Sequence, residues 1–293
     1  MLRTISRGNR LQFARKPTFT RECIPTWATG EALATLQAEI QTLLAKGAIR
    51  KAILKKSPTG FCSRYFLIPK KRGGGIRPIL DLRGLNKCLK KFSFKMLTTR
   101  ALLSRVRKGT WFTSVDLKDA FFHISIYPPH RKFLRFALEG QVYKYTVLPF
   151  GMSLSPRVFT KVTQAAVAPI RAMGIRLDTY LDDWLISADT RQEAHRHTEM
   201  VVSHFTGLGF HLNLEKSVLE PTQQTTFLGV QLDSNTLMGR LSNERVENFF
   251  SCLSRVQEGA LIPYHTLQHL SGFMASAIHL MRLGRFHMRP FQR

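Results

Sequence analysis

Acidic residues are scarce in this chain: 19 Asp and Glu stand against 44 Lys and Arg in 293 residues, a formal charge of +25. A surplus that large points to a polyanionic partner. Cysteine is also sparse. Cys23, Cys62, Cys88 and Cys252 form no C-x-x-C pair and no His-paired zinc spacing, which excludes a zinc-ribbon or finger scaffold. No apolar run reaches membrane-spanning length, so no spanning helix and no membrane partner is expected. Internal repeats are not seen, and no secretory leader is expected. Scattered thiols without a leader predict an intracellular protein of the cytoplasm or nucleus, not a secreted one.

The charge is uneven. The first hundred residues hold 22 Lys and Arg against 4 Asp and Glu. A basic front half fits a channel that neutralises nucleic-acid phosphates, with affinity falling steeply as salt rises. A ribosomal or chromatin-type protein would also be basic. It would not need a 44% hydrophobic composition, which argues for a packed core.

The scarce acids are concentrated in informative places. Tyr180-Leu181-Asp182-Asp183 puts two adjacent carboxylates between strand-like runs, 175–179 and 184–187, so the pair is expected at a turn between two short strands. Adjacent like charges lose hydration against a core, and a cation offsets that cost. Upstream, Asp116 ends the apolar strand of Thr113-Ser114-Val115-Asp116, and Asp119 follows one turn later. Singly, each is an ordinary turn or strand end. If Asp116 and Asp182 meet in space, they form an oxygen cage for a hard divalent cation, suited to two-metal catalysis. Between them Leu148-Pro149-Phe150-Gly151 leads to Ser155-Pro156, read as an N-cap and first helical residue. Phe159, Val162, Ala166 and Ile170 then recur at helical spacing until Gly174.

The order of Leu67-Ile68-Pro69-Lys70, the run Arg77 to Asn86, the Asp116 strand, Leu148-Pro149-Phe150-Gly151 and Tyr180-Leu181-Asp182-Asp183 resembles a retroelement reverse transcriptase across residues 31–233. Phe150, where retroviral enzymes usually carry Gln, resembles the gypsy-like and DIRS-like retrotransposon pattern, and Trp184 after the acidic pair is similar to the DIRS group. The tail from His269 to Pro290 is similar to the DIRS group, whose elements use a tyrosine recombinase. The resemblance implies an α+β right-hand polymerase fold, with fingers, an antiparallel-sheet palm and a small helical thumb. Its boundaries would be a basic irregular segment at 1–30, fingers and palm at 31–233, and a thumb-like connection at 234–293.

The implied activity is RNA-directed DNA polymerisation, with two Mg²⁺ ions, or Mn²⁺ in their place. The partners implied are an RNA template, a DNA primer or hybrid duplex, and deoxynucleoside triphosphates. Asp116, the Leu117 carbonyl and Asp182 would hold the ions, with Asp183 as an outer ligand and Lys216 as proton donor to pyrophosphate. By the match Lys70 and Arg77 contact the triphosphate from a glycine-hinged hairpin of two strands, 61–69 and 76–82. Asp119, Ala120, Phe150 and Gly151 complete the nucleotide pocket. Phe121 stands where the family places an aromatic ring beneath the ribose, which would exclude a 2′-hydroxyl.

Three alternatives stay open: a catalytically inactive nucleic-acid-binding remnant, an RNA-templated RNA polymerase, and a nuclease. Phe121 weighs against the second and the basic hairpin against the third. A ribonuclease H module needs its own carboxylates, and only Glu244, Glu247 and Glu258 follow residue 233, so that activity is expected from a module of a parent polyprotein. The 290–293 ending fits truncation within a longer frame.

Local patterns predict further elements. Leu33, Leu36, Ile40, Leu43 and Leu44 mark a helix ended by Gly47; 133–138 and 142–147 form a hairpin around Glu139-Gly140; Thr190-Arg191-Gln192-Glu193 is a capping box. Strands are expected at 210–214 and 226–232, and helices on Val246-Phe249-Leu253-Val256 and Leu267-Leu270-Met274-Ala277-Met281. His195, His197 and His204 are expected at the surface.

Overall fold

The computed structural model describes residues 2–19, 23–53, 60–69, 76–256, 259 and 261–292. In chain order the first elements are α1 (Leu2–Arg7), α2 (Gly30–Ala45), β1 (Ile49–Lys51), β2 (Tyr65–Pro69), β3 (Ile76–Leu80) and α3 (Arg83–Asn86). There follow α4 (Thr99–Leu103), β4 (Trp111–Asp116), β5 (Arg135–Leu138), β6 (Gln141–Tyr145), α5 (Ser155–Ala172), β7 (Arg176–Tyr180), β8 (Asp183–Ala188) and α6 (Arg191–Gly207). The chain ends with β9 (Val218–Thr222), β10 (Gln224–Phe227), β11 (Val230–Asp233), β12 (Met238–Leu241), α7 (Asn243–Leu253), α8 (Tyr264–Ala277) and α9 (Gly284–Met288). Two compact units emerge: residues 1–94 with 119–165, and residues 95–118 with 166–293.

The first unit contains the antiparallel sheet β1-β6-β5 and the β2-β3 hairpin. Leu36, Ile40 and Leu43, one apolar face of α2, are buried as the spacing predicts. Gly47 ends that helix at φ 65, with its N–H on the Leu44 carbonyl and the Ala48 N–H on Leu43. Only a residue without Cβ enters that left-handed position freely. An aromatic core sits beneath: Phe136 packs edge-on to Tyr65 and stacks on Tyr143, and the Tyr65 and Tyr145 hydroxyls bond at 2.6 Å. The N-terminal segment is not free. Asn9 bridges Ile126, Phe13 bridges Leu89, and the Leu11 N–H donates to His130 Nδ1 at 2.9 Å.

Cys23 and Cys62 are joined as a disulfide, which corrects the reading of all four cysteines as scattered thiols of a reducing compartment. The extended segment after Cys23 is fixed against this sheet: the Thr26 N–H donates to the Ala137 carbonyl, and the Thr26 hydroxyl accepts from the Tyr65 N–H. That alignment brings residues 39 apart in sequence together. Cys88 and Cys252 are free and buried.

The second unit is built on the antiparallel sheet β7-β8-β4-β9 and a separate β10-β11-β12 sheet. Leu102, Phe112, Leu185, Phe227, Val230 and Leu232 form its core. Ala194, Thr198, Val201 and Phe205 make the buried stripe of α6, and the Thr190 hydroxyl accepts the Glu193 N–H at 3.1 Å. Both features match the sequence pattern.

Four local expectations need correction. Residues 210–214 are not a strand; only Leu212 bridges, to Leu117. The single strand expected at 226–232 is a hairpin, because Leu228 (φ 51) and Gly229 (φ 71) turn the chain between β10 and β11. His197 and His204 are partly buried rather than superficial, and His204 Nε2 lies 2.9 Å from the Ala166 carbonyl. The expected stripes of α7 and α8 are met in part: Leu270 and Ala277 are buried as expected, but Cys252 and Thr266 are buried as well, while Leu253 and Leu267 are exposed. Among the described residues no helix is long and apolar enough to cross a membrane.

Candidate active site

β7 and β8 form a hairpin with Tyr180 paired to Asp183, leaving Leu181-Asp182 as the two-residue turn. Leu181 takes the left-handed conformation at φ 51, which is unfavourable for a residue with a Cβ by about 1–2 kcal/mol. What holds it is Trp184: fully buried against Phe205 and Phe210, it donates its indole N–H to the Leu181 carbonyl at 2.9 Å. Beneath, Arg105 pairs with the buried carboxylate of Asp178 on β7.

β4 runs antiparallel to β8, and its last residue, Asp116, lies in register with Asp183. Cross-strand partners project from the same face of a sheet, so these two carboxylates face each other at the strand ends. The Leu117 N–H donates to the Asp182 carbonyl at 2.9 Å, binding the chain after Asp116 to the turn. From the other side, Ser217 Oγ accepts the Asp116 N–H at 3.1 Å, and the Asn213 N–H donates to the Asp116 carbonyl at 2.8 Å. Trp184, Asn213 and Ser217 therefore support the acids. Sequence reading gave none of them that task, since each bond depends on tertiary alignment.

Asp116, Asp183 and Lys216 line one cleft of about 1420 Å³, together with Gln224, Arg240 and Arg245. Lys216 is exposed there. Burial, then repulsion from Asp182 and Asp116, pushes the Asp183 carboxyl up to about 6, partly relieved by Lys216. Asp182 is raised as well, chiefly by burial, with Asp116 adding to the rise. Among the described residues none of the three forms a salt bridge, and no three acidic, His or Cys side chains make a ready ion cage. The donor set is two facing carboxylates with a third beside them. That suits Mg²⁺, which binds through one or two carboxylates and completes its shell with water and substrate phosphates.

The expected nucleotide-pocket residues fall in the first unit. Phe121 is buried, its ring tilted on Phe150 at 4.9 Å and edge-on to Phe159 at 5.7 Å. Ala120 is buried beside it, while Phe150 is exposed. Gly151 turns at φ 82, its carbonyl accepting from Asn86 Nδ2 at 2.9 Å while Asn86 Oδ1 accepts the Ser153 N–H. Ser155 is not the N-cap acceptor expected. Fully buried, it donates its hydroxyl to the Pro149 carbonyl at 2.8 Å and so closes the same turn. Asp119 is ion-paired with Lys46. Arg77 lies in β3, opposite Ile68 on β2. Lys70 lies outside the described residues.

A sheet presenting paired acids from a hairpin and its neighbouring strand defines a right-hand polymerase fold, and solved structures agree. A foamy viral protease-reverse transcriptase in complex with double-stranded DNA matches over 96% of this chain and 48% of its own, at a TM-score of 0.73 and 23% identity. The same foamy viral protein in complex with an RNA/DNA hybrid matches with a TM-score of 0.71 and 22% identity, over 96% of this chain and 37% of its own. Residues 68–232 match the reverse transcriptase (RNA-dependent DNA polymerase) family, and the chain belongs to it. Among curated relatives, the Gag-Pol polyprotein of gibbon ape leukemia virus is 30% identical over 178 residues, 57% of this chain and 10% of its own length. A transposon polyprotein of Schizosaccharomyces pombe is 24% identical over 184 residues, 63% of this chain and 14% of its own. The chain thus spans a small fraction of these polyproteins.

Proposed function

We propose that this chain is the polymerase segment of a retrotransposon reverse transcriptase, adding deoxynucleotides to a primer 3′ end on an RNA or DNA template. The facing Asp116–Asp183 pair carries the reading: both acids open on one cleft without a salt-bridge partner among the described residues, and burial together with repulsion from Asp182 and Asp116 raises the Asp183 carboxyl. Such a site is completed by cations and phosphates.

Asp116, Asp183, Asp182 and the Leu117 carbonyl would hold Mg²⁺, two ions in all, with Mn²⁺ as a substitute. When bound, the metal supplies an acidified primer hydroxyl and charge neutralisation on the departing pyrophosphate. The chain's own task is positioning. Trp184 and Ser217 hold the acids in place before substrate arrives. Lys216, exposed in the same cleft, is the candidate donor of a proton to pyrophosphate. Lys70 and Arg77 clamp the triphosphate, Phe150 and Gly151 line the base-pair pocket, and the Phe121 ring excludes a ribonucleotide. The partners are an RNA template, a DNA primer or hybrid, and deoxynucleoside triphosphates, supported by the duplexes bound to the foamy viral neighbours and by the charge of +25. We infer an intracellular setting, in cytoplasm or nucleus, with ribonuclease H supplied by a separate module.

Primer extension on an RNA template with Mg²⁺, comparing deoxy- and ribonucleotides, tests this. Extension with deoxynucleotides is expected, and Asp182→Asn should abolish it while leaving template binding intact. Undiminished extension by that variant would remove the metal-site argument. Wild-type protein that binds template yet never extends would be an inactive remnant.

A further inference from the structure

Lys46 is the C-cap residue of α2, far from any motif of polymerase chemistry, and its ammonium lies 2.8 Å from the Asp119 carboxylate. Asp119 is the residue before the turn that carries Ala120 and Phe121. We propose that Lys46 is a specificity-positioning residue, which sets the placement of the Phe121 ring through Asp119. This rests on the reading of Phe121 as the ribose gate.

Asp119 sits in the left-handed region at φ 52 and ψ 43. Asp tolerates that region better than most residues, yet nothing covalent keeps it there. Its carbonyl accepts the Phe122 N–H at 2.7 Å, and the Phe121 carbonyl accepts the Ile124 N–H, so the rotation at Asp119 fixes where the next ring points. Phe121 then meets Phe150 and Phe159. A shift at residue 119 is transmitted to that ring contact, because packed aromatic side chains have few alternative arrangements.

Lys46 can act as a fixed post because the backbone around it is held by hydrogen bonds, its own N–H donating to the Thr42 carbonyl. The paired bonds from Gly47 to Leu44 and from Ala48 to Leu43 lock the end of α2. Thr146 then ties this helix end to the segment leading away from Phe121: its hydroxyl donates to the Gly47 carbonyl at 2.6 Å, its N–H donates to the Ala48 carbonyl, and its carbonyl accepts from the Ile126 N–H. The ion pair therefore spans two backbone segments already in register. Glu39, two turns earlier on the same face of α2, also lies within electrostatic reach of Lys46 and Asp119, and the lysine offsets part of the repulsion between the two acids. Neutralising Asp119 also suits a pocket meant for an anionic triphosphate. Asp119 accordingly serves as an anchor, its carboxylate committed to Lys46.

The test is steady-state extension with matched deoxy- and ribonucleotides by wild type, Lys46→Met, Lys46→Arg, Phe121→Ala and the Phe121→Ala/Lys46→Met double variant. Lys46→Met should raise the deoxynucleotide KM and reduce sugar discrimination roughly threefold to tenfold, with a smaller change in kcat. Lys46→Arg should restore both. In the double variant discrimination should equal that of Phe121→Ala alone, since Lys46 acts through the ring. Unchanged KM and discrimination in Lys46→Met, or effects that multiply in the double variant, overturn the proposal. If Phe121→Ala itself leaves sugar preference intact, the gate reading falls and this inference with it. Lys46→Gln replaces Lys46→Met should the latter lose its folding transition.

Discussion

The β5–β6 and β7–β8 hairpins reverse the chain over the same distance but use opposite chemistry. In each a two-residue turn is enclosed by a paired position, Leu138 with Gln141 and Tyr180 with Asp183. The first turns through Glu139 (φ 48) and Gly140 (φ 74), with glycine at a position where it carries no steric penalty. The second has no glycine. Leu181 is driven to φ 51, and the buried Trp184 indole holds its carbonyl. A turn that only reverses the chain can be made of permissive residues. A turn that must present Asp182 and Asp183 keeps its strain and is stabilised by neighbouring packing.

The largest effect should separate the two hairpins by function. Asp183→Asn is expected to lower primer extension on the order of a thousandfold or more, whereas Glu139→Gln leaves it near wild type. The Asp183 substitution should also leave the melting temperature unchanged or slightly raised, because burial and repulsion from Asp182 and Asp116 already oppose its charge. A large drop in melting temperature together with lost extension would mean that the acid is structural.

Trp184→Phe comes next. It keeps the ring in the Phe205–Phe210 cluster and removes the donor to Leu181. About 1–3 kcal/mol of unfolding free energy should be lost, read from urea titration, because a turn carbonyl loses its indole donor in a strained segment. Extension should fall too. A loss within error of zero would show that the Leu181 turn stands without the indole.

The acids also give the β7–β8 hairpin a pH signature. An unfolded Asp titrates near about 3.9, while Asp183 is raised to about 6 in the folded chain. Between those values the folded state binds more protons, so its stability is fullest below the unfolded value and declines as pH rises through about 6. The melting temperature of magnesium-free wild type, minus that of Asp183→Asn, should fall across this window. Mg²⁺ should raise the wild-type value at pH 7 and do so far less at pH 4.5. A flat difference profile would contradict the assigned repulsion.

The sequence made both hairpins legible because their signals are local. Glu139-Gly140 is a turn dipeptide between alternating runs, and the acidic pair interrupts two β-branched ones. The α2 and α6 faces followed from spacing alone. What stayed hidden is what partners decide. Leu228-Gly229 was absorbed into one expected strand, because a single glycine in an apolar run also fits a bulge. Ser217 and Asn213 look like ordinary loop residues until β4 is laid beside them. Cys23 and Cys62 carry no spacing code, and Ser155 satisfies an N-cap pattern that its burial against Pro149 overrides. The motif order identified the site, while its supports came only from tertiary alignment.

The smallest effect tests whether strain in the plain hairpin is incidental. Glu139 occupies a left-handed position that Asn adopts more readily. Its carboxylate accepts a bond from Gln37 Nε2 at 3.0 Å, but that contact is exposed and weak. Glu139→Asn should therefore gain up to about 0.5 kcal/mol in urea unfolding, without altering extension. The corresponding change in the other hairpin, Leu181→Asn, eases the same dihedral but puts a polar amide in place of the apolar side chain next to Asp182 and Asp183, and should still reduce extension. If both substitutions proved equally silent in extension, the strained turn would have no catalytic purpose, and the contrast between the hairpins would be one of composition alone.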